Sequence, residues 1–290
     1  MPLQDITLGV EVSGDGPAVV LVHGFPDLGH GWRHQVPALV AAGYRVIVPD
    51  MRGYGASSAP TPVQDYRIDR LAEDLLALLR SVDEEHAVFV GHDWGAAVVW
   101  HLAATSPERV RGVAGLSVPF SAPAAAPPLE ILRRRLGDDF YMAWFQEVGP
   151  ADDALRADVR RTMVAAFAGG QDALSWPPAA DAAPAWLTAA DLDVYVEAFS
   201  RTGFHGGLNY YRNIDANWQL ARRLGLETIR PPALFATGSA DPLVRFMPMR
   251  ESVYADLRGH LVLDGAGHWL PQERPAEVTR LLLGFLGALA

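Results

Sequence analysis

An aspartate in a glycine-flanked turn is the residue of this sequence best placed for covalent chemistry. Residues 86–104 read HAVFVGHDWGAAVVWHLAA, where an apolar run of strand length ends in the segment GHDWG and continues directly into a helical pattern. The segment has the form G-x-nucleophile-x-G, a sharp turn that lifts its central side chain above a sheet. A helix N-terminus also stabilises an anion. The turn therefore predicts that Asp93 is an ionised nucleophile, and the alternative is an aspartate that only caps the helix.

Two later segments supply the partners that such a nucleophile needs. The run FATGSADPL at 235–243 ends a predicted strand in a polar turn that presents Asp241, and DGAGHW at 264–269 presents His268 after the last predicted strand. The order along the chain is Asp93, Asp241, His268. This is the order nucleophile, acid, histidine of the α/β-hydrolase fold, and it favours a nucleophile over a simple helix cap.

A loop after the first long apolar run is the expected place for an oxyanion donor. The segment VLVHGFPD at 20–27 places HGFPD directly after a predicted strand, where α/β-hydrolase proteins contribute one backbone N–H to the oxyanion hole. The residue after the nucleophile contributes the other N–H. We therefore expect the backbone N–H groups of Phe25 and Trp94 to hold an oxyanion.

Short apolar segments of strand length alternate with helical patterns along most of the chain. The predicted strands are 18–22, 45–48, 86–90, 110–116, 232–236 and 260–263. Their continuous apolar character is typical of strands covered on both faces, as in a parallel sheet. Between them, apolar residues recur with helical spacing in 71–82, and more loosely in 275–286. The predicted fold class is α/β, with the α/β-hydrolase arrangement of a mostly parallel sheet flanked by helices.

This alternation stops in the middle of the chain. From 119 to 229 the sequence opens with the Pro/Ala-rich run SVPFSAPAAAPPLE, has no convincing buried strand, and otherwise reads as helices with many aromatic residues. We predict a helical cap at 119–229 inserted into an α/β core formed by 1–118 and 230–290. Two independent domains in series are the alternative, but the last two strands would then lie in a domain too small to fold alone.

The composition fits a globular protein and disfavours several classes of partner. The 290 residues carry a formal net charge of −10, and 50% of them are hydrophobic, which is enough for a sizeable core. Acidity without a basic stripe argues against a nucleic-acid partner. No apolar run approaches the roughly 18 residues that a membrane span needs, and the N-terminus lacks the character of a signal peptide. The absence of cysteine excludes thiolate metal sites and suits a reducing compartment, so we expect a cytoplasmic protein without a membrane partner.

The chain as a whole resembles the epoxide hydrolases of the α/β-hydrolase fold. The resemblance is carried by HGFPD, GHDWG, GSADP and GAGHW, together with DMRGYGASSAP at 50–60 and NYYRN at 209–213. In the predicted cap it is clear at FYMAWFQEVG (140–149) and GLNYYRN (207–213), and weak from about 150 to 200. The resemblance implies that an apolar small-molecule epoxide and water are the substrates, and neither a cofactor nor a metal is expected.

The resemblance also implies a role for each matching residue. Asp93 would be the nucleophile, His268 the base, and Asp241 the acid that orients the base. Tyr141 and Tyr211 of the predicted cap would donate to the epoxide oxygen, which becomes an alkoxide when the ring opens and needs a proton.

One position departs from the family pattern. The family commonly has Trp where this chain has Tyr210, so two adjacent tyrosines compete for the second donor role, and only the match of Y-R-N favours Tyr211. We expect the substrate to contact Trp94, Phe25, Trp144 and Tyr210, although ordinary apolar packing is the simpler interpretation of the tryptophans.

An aspartate at the turn distinguishes this chemistry from that of a serine esterase. A serine that attacked the saturated carbon of an epoxide would become an ether, whereas a carboxylate forms an ester that water activated by His268 can hydrolyse. A haloalkane dehalogenase with the same triad is the alternative enzyme, although that family typically has Asn where this chain has Phe25 and lacks the tyrosine pair. A non-catalytic binding protein of this fold is the other alternative, and the complete triad argues against it.

Overall fold

A mostly parallel β-sheet forms the centre of the fold. The structure, a computed structural model, describes residues 1–3, 5–169, 180 and 182–289. Within these residues the strands of the sheet are β1 (Val10–Ser13), β2 (Ala18–Val22), β3 (Arg45–Pro49), β4 (Ala87–His92), β5 (Val110–Leu116), β6 (Ala233–Gly238) and β7 (Leu257–Leu263). Their order across the sheet is β1-β3-β2-β4-β5-β6-β7. Only β1 runs antiparallel to its neighbour, so the predicted α/β class with a mostly parallel sheet is confirmed.

Helices pack on both faces of this sheet. In chain order the α-helices of the described residues are α1 (Gln35–Ala41), α2 (Ile68–Ser81), α3 (Trp94–Thr105), α4 (Pro128–Leu136), α5 (Tyr141–Trp144), α6 (Pro150–Arg156), α7 (Val159–Ala168), α8 (Ala189–Thr202), α9 (His205–Arg212), α10 (Ile214–Leu224), α11 (Leu270–Glu273) and α12 (Pro275–Gly287), and those on the two faces of the sheet include α1, α2, α3 and α12. In β2, Val20 and Val22 join the cluster of α2 and α3, and Val19 and Leu21 join that of α1 and α12. Because successive side chains of a strand point to opposite faces, a strand between two helical layers must be apolar throughout.

The helices from α4 to α10 lie between β5 and β6 in the chain and pack onto loops of the sheet. The ring of Phe145 lies 5.9 Å from that of Phe25, which follows β2, and the ring of Tyr210 lies 5.5 Å from that of Tyr54, which follows β3. The division into a core of 1–118 and 230–290 and a cap of 119–229 stays a prediction. Residues 170–179 and 181 of the predicted cap lie outside the described residues.

Two differences from the predicted elements have simple causes. The strand β1 was not predicted, because its sequence VEVS is short, is exposed at its centre and has no continuous apolar run. The strand β7 begins at Leu257, three residues before the predicted start, because it lies at the edge of the sheet with mostly exposed residues. In the part of the chain that the structure describes, no helix is both long and apolar enough to cross a membrane.

Candidate active site

The turn between β4 and α3 holds Asp93 in a backbone conformation that favours glycine. Its φ is 54° and its ψ is −122°, a strained combination for a residue with a side chain. The glycines on either side allow the turn to be this tight. A Cβ atom at Gly91 would collide with the carbonyl oxygen of Gly95, and one at Gly95 would collide with that of Val22. Backbone strain of this kind persists where the surrounding structure holds it, and it concentrates at functional sites.

The carboxylate of Asp93 lies between a backbone donor and an imidazole. Its Oδ1 accepts a hydrogen bond of 2.8 Å from the backbone N–H of Phe25, and its Oδ2 lies 3.6 Å from Nε2 of His268. A side chain at Gly24 would collide with this carboxylate, so the close approach of the loop depends on glycine. Burial opposes ionisation of Asp93, but the hydrogen bond and the charge of His268 hold its pKa below the ordinary value. Asp93 is therefore an anion at neutral pH.

The other side of the His268 ring is held by a second carboxylate. Nδ1 of His268 lies 3.0 Å from Oδ2 of Asp241, whose Oδ1 accepts a hydrogen bond of 2.9 Å from the backbone N–H of Leu243. Burial alone would lower the pKa of His268, but the carboxylates of Asp241 and Asp93 raise it to about 10. The three residues that the sequence predicted as a triad thus lie together, with the ring of His268 between the carboxylates of Asp93 and Asp241.

The main chain of His268 is fixed by two buried side chains that the sequence did not single out for this purpose. Nε2 of His92 and the hydroxyl of Ser117 each lie 2.8 Å from the carbonyl oxygen of His268. Ser117 is only 2% exposed and has a positive φ of 67°. The only sequence signal that could have identified Ser117 as part of the site is its position directly after β5.

Two tyrosines lie above Asp93, on separate helices. Tyr141 begins α5 and Tyr211 lies in α9, and their rings are 5.9 Å apart and nearly perpendicular at 76°. The ring of Tyr211 also lies 5.1 Å from that of Trp94 and is nearly perpendicular to it, at 86°. Burial, followed by the charge of Asp93, raises the pKa of both phenols well above the ordinary value. Both hydroxyls therefore keep their protons at neutral pH and can donate them.

The adjacent Tyr210 faces in a different direction. Its hydroxyl donates a hydrogen bond of 2.9 Å to the backbone carbonyl of Arg52 in the loop after β3. The helix carries successive side chains about 100° apart, which is why neighbouring tyrosines reach different surroundings. Tyr210 thus anchors α9 to the loop after β3, whereas Tyr211 lines the same cavity as Asp93.

Polar side chains tie together the two segments that carry Tyr141 and Tyr211. Nε2 of Gln146, just after α5, donates to the carbonyl oxygen of Tyr211 at 3.1 Å. Arg212 donates from Nε to the carbonyl oxygen of Phe145 at 3.0 Å and forms an ion pair of 2.6 Å with Asp152. The relative placement of the two tyrosines is therefore determined by several contacts.

A mostly apolar cavity of about 820 Å³ opens beside Asp93. Asp93, Trp94, Tyr141 and Tyr211 line it, together with apolar residues that include Val118, Phe120, Ile131, Leu132, Leu243 and Phe246. This is large enough for a small organic molecule.

Three of the four residues expected to contact a substrate lie outside the lining of this cavity. Trp94 lines it as expected, but Trp144 and Tyr210 do not. Trp144 packs on Phe145 with ring centroids 5.4 Å apart, and Tyr210 faces Arg52. Phe25 meets Asp93 through its backbone N–H, while its ring packs on other aromatic rings. The sequence showed that these residues are aromatic but not which way each one points.

Comparison with known proteins gives consistent matches. Residues 17–275 match the alpha/beta hydrolase fold family. The chain is 45% identical to epoxide hydrolase A of Mycobacterium tuberculosis over 94% of this chain and 91% of that protein. It superposes with a TM-score of 0.93 on the crystal structure of epoxide hydrolase A from Mycobacterium thermoresistibile, at 46% identity and covering 99% of this chain and 96% of that one. For an epoxide hydrolase of Vigna radiata the TM-score is 0.91, at 32% identity with the same coverage.

Proposed function

This chain belongs to the epoxide hydrolases of the α/β-hydrolase fold, and we propose that it opens an apolar epoxide to a vicinal diol through a covalent ester on Asp93. One observation carries this proposal. The Asp93 carboxylate has one oxygen on the Phe25 N–H and the other facing His268, below two buried tyrosines that stay protonated. This arrangement offers a nucleophile, an oxyanion site, a base and an acid around one cavity.

In the first step Asp93 attacks a ring carbon of the epoxide. Oδ2 of Asp93 is the attacking atom, because Oδ1 is occupied by the Phe25 N–H. The new bond joins Oδ2 to the carbon, and the carbon–oxygen bond of the ring breaks. The departing oxygen takes a proton from Tyr141 or Tyr211, whose hydroxyls are the donors above Asp93. General acid help of this kind contributes a factor on the order of 10²–10⁴ in rate.

In the second step water hydrolyses the ester. His268 takes a proton from the water while the water oxygen bonds to the carboxyl carbon of Asp93. The resulting oxyanion is Oδ1, which the Phe25 N–H already contacts. The backbone N–H of Trp94 is the second donor to this oxyanion, because Trp94 is the first residue of α3 and an α-helix leaves that N–H without an intrahelical acceptor. When this intermediate collapses, the bond between the carboxyl carbon and Oδ2 breaks, and the departing alkoxide takes the proton held by His268 and leaves as the diol. The new hydroxyl of the carboxyl group gives its proton to the tyrosinate, which restores both the Asp93 carboxylate and the tyrosine.

The electrostatics of the site suit this order of events. In the free enzyme Asp93 and Asp241 together raise the pKa of His268, so the imidazole is protonated and the nucleophile is ionised. Ester formation removes the negative charge of Asp93, which lowers the pKa of His268 and favours the neutral imidazole. The imidazole releases this proton to solvent and so becomes a base at the step that needs one, and it takes a proton back when the Asp93 carboxylate is restored. The haloalkane dehalogenase and binding-protein alternatives gain no support from the relatives, which are named as epoxide hydrolases.

A single turnover in ¹⁸O-water tests the covalent route. With enzyme in excess over a terminal alkyl epoxide, the first diol should carry ordinary oxygen from the carboxylate, and ¹⁸O should appear in the peptide that contains Asp93. Asp93→Asn is the matched control and should give neither an adduct nor a labelled peptide. If ¹⁸O appears in the diol of the first turnover, water attacks the epoxide directly and the proposal fails. The cytoplasmic location and the lack of a nucleic-acid partner remain predictions.

A further inference from the structure

A buried histidine lines the cavity away from the triad. His101 lies in α3, is 7% exposed and belongs to the cavity lining. Among the described residues, neither ring nitrogen of His101 has a hydrogen-bond partner, and neither is sealed from accessible space. The cavity is the accessible space that this buried ring meets. A polar side chain that is more than nine-tenths buried normally finds a partner, so a ligand group is the natural occupant of this position.

The ring is an uncharged hydrogen-bonding group at neutral pH. Burial lowers the pKa of His101 to about 4, and the charge of Asp69 opposes this only in part. A neutral imidazole carries one N–H donor and one acceptor nitrogen. It therefore offers a hydrogen bond without offering a charge.

A second polar group enters the same cavity from α10. Asn217 lines the cavity, and its Oδ1 accepts a hydrogen bond of 3.0 Å from the backbone N–H of Ile68 at the start of α2. That bond fixes the amide, and its Nδ2 has no partner among the described residues. Ile68 also lines the cavity, and its neighbour Asp69 is close enough to His101 to act on it electrostatically. The first two residues of α2 therefore lie near both polar groups, Ile68 at Asn217 and Asp69 at His101.

The geometry of α3 sets the distance between this polar end and the nucleophile. Asp93, Ala97 and His101 follow each other at four-residue spacing, and all three line the cavity. Residues at this spacing lie on one face of a helix. Eight residues at 1.5 Å each place His101 about 12 Å along the helix axis from Asp93. The same cavity thus contains the reacting carboxylate and a separate polar position.

We propose that His101 and Asn217 form a distal subsite that binds an uncharged hydrogen-bond acceptor of the substrate, with His101 about 12 Å further along the axis of α3 than Asp93. The proposal rests on the proposed function and adds a substrate class to it: an epoxide joined by an apolar chain to a carbonyl group. An extended chain of roughly ten bonds spans this distance. A neutral imidazole and a carboxamide supply no charge for a carboxylate, and burying an unpaired charge is costly. The cationic residues of the lining, Arg135 and Arg250, are exposed.

A matched set of substrates tests the subsite. One terminal epoxide carries a plain alkyl chain, a second of the same length ends in a methyl ketone, and a third ends in a carboxylate. The measured quantity is the ratio of kcat/KM for the ketone to that for the alkyl epoxide. One neutral hydrogen bond corresponds to a ratio of about two to twelve.

Two variants of His101 and one of Asn217 test whether these residues cause the preference for the ketone epoxide. His101→Gln keeps a donor and should keep a ratio above one, whereas His101→Leu should bring the ratio close to one. Asn217→Asp keeps the oxygen that binds Ile68 and removes the amide donor, so it should also lower the ratio. Both kcat/KM values of a ratio come from the same variant, so a smaller fraction of folded protein lowers both equally and leaves the ratio unchanged. Thermal unfolding confirms that each variant is folded.

Each outcome has a definite meaning. A parent ratio near one, or a high ratio that survives His101→Leu, overturns the subsite. A preference for the carboxylate over the ketone overturns its uncharged character. If the parent turns over the plain alkyl epoxide but shows no preference, only the subsite fails. If the parent turns over no epoxide of the set, the proposed function fails.

Discussion

Removing the hydroxyl of Tyr211 is the sharpest perturbation of the proposed acid. In Tyr211→Phe the ring keeps its contacts with Trp94 and Tyr141, while the proton that it would donate is lost. A hydrogen bond to a charged group contributes about 1.5–3 kcal/mol, so ester formation should slow by a factor of about 10–150. Tyr141 still donates to the same alkoxide in this variant. The double Phe variant should lose the larger factor, on the order of 10²–10⁴, that general acid help provides.

The neighbouring tyrosine supplies a matched control. Tyr210→Phe removes an identical hydroxyl from the preceding position of α9, but that hydroxyl donates to the carbonyl of Arg52 and faces away from the cavity. It should lower the free energy of unfolding by about 1–3 kcal/mol, because the buried carbonyl loses its partner. Ester formation in the folded protein should stay near the parent rate.

Rapid-quench measurement of the Asp93 ester under single-turnover conditions reads out all of these variants directly. If Tyr210→Phe slows ester formation while Tyr211→Phe does not, the donor is Tyr210 and the orientation argument is wrong. If the double variant forms the ester at the parent rate, the hydroxyls are not the acid. Haloalkane turnover that survives the double substitution would favour dehalogenation, since a halide leaves without a proton.

Further expectations concern the triad and its support. His268→Gln should form the ester once and then stall, and intact-protein mass measurement should show the adduct; a folded variant that gives no adduct contradicts the order of steps. Asp93→Asn should lower the pKa of His268 from about 10, because one of the two carboxylates that raise it is gone, and an unchanged NMR titration of the imidazole would refute this. The pKa of His268 in the folded protein lies above the ordinary value of 6.5, so its contribution to the free energy of unfolding is complete below pH 6.5 and is lost as the pH rises towards about 10. Urea unfolding of the parent should show this loss, and in His268→Gln this part of the pH dependence should be absent. Ser117→Gly should be more stable than Ser117→Ala by about 1 kcal/mol, because both lack the hydroxyl and only glycine adopts a φ of 67° without strain; equal unfolding midpoints would contradict this.

The buried strands could be predicted from the sequence because their environment leaves a clear pattern. The run AVVLV became β2 at the predicted positions, since both of its faces are covered and every side chain must be apolar. The strand β1 has no such requirement. It lies at the edge of the sheet, is partly exposed, and takes its conformation from pairing with β3, so its local sequence contains little signal.

The site could be predicted where a turn motif positions the side chain, and not where tertiary packing does. Asp93 and His268 lie in short glycine-containing segments after strands, and the structure brings them to 3.6 Å. The direction of Tyr210 depends on the carbonyl of Arg52, which is remote in sequence, so the five-residue segment NYYRN could not separate it from Tyr211. The polar character of His101 in an apolar helix was visible, but its lack of a partner is a property of the folded cavity.

The anchor formed by Tyr210 has a consequence for how this enzyme can change in evolution. Tyr210 fastens α9 to the core, and the next residue carries the proposed proton donor. An insertion or deletion of one residue ahead of them would rotate both by about 100°, so the carbonyl of Arg52 would lose its partner as the donor left the cavity. Selection for a folded protein alone would therefore remove such length changes. A lineage that no longer needed the reaction would still inherit the register of α9, and the activity could return by point substitution.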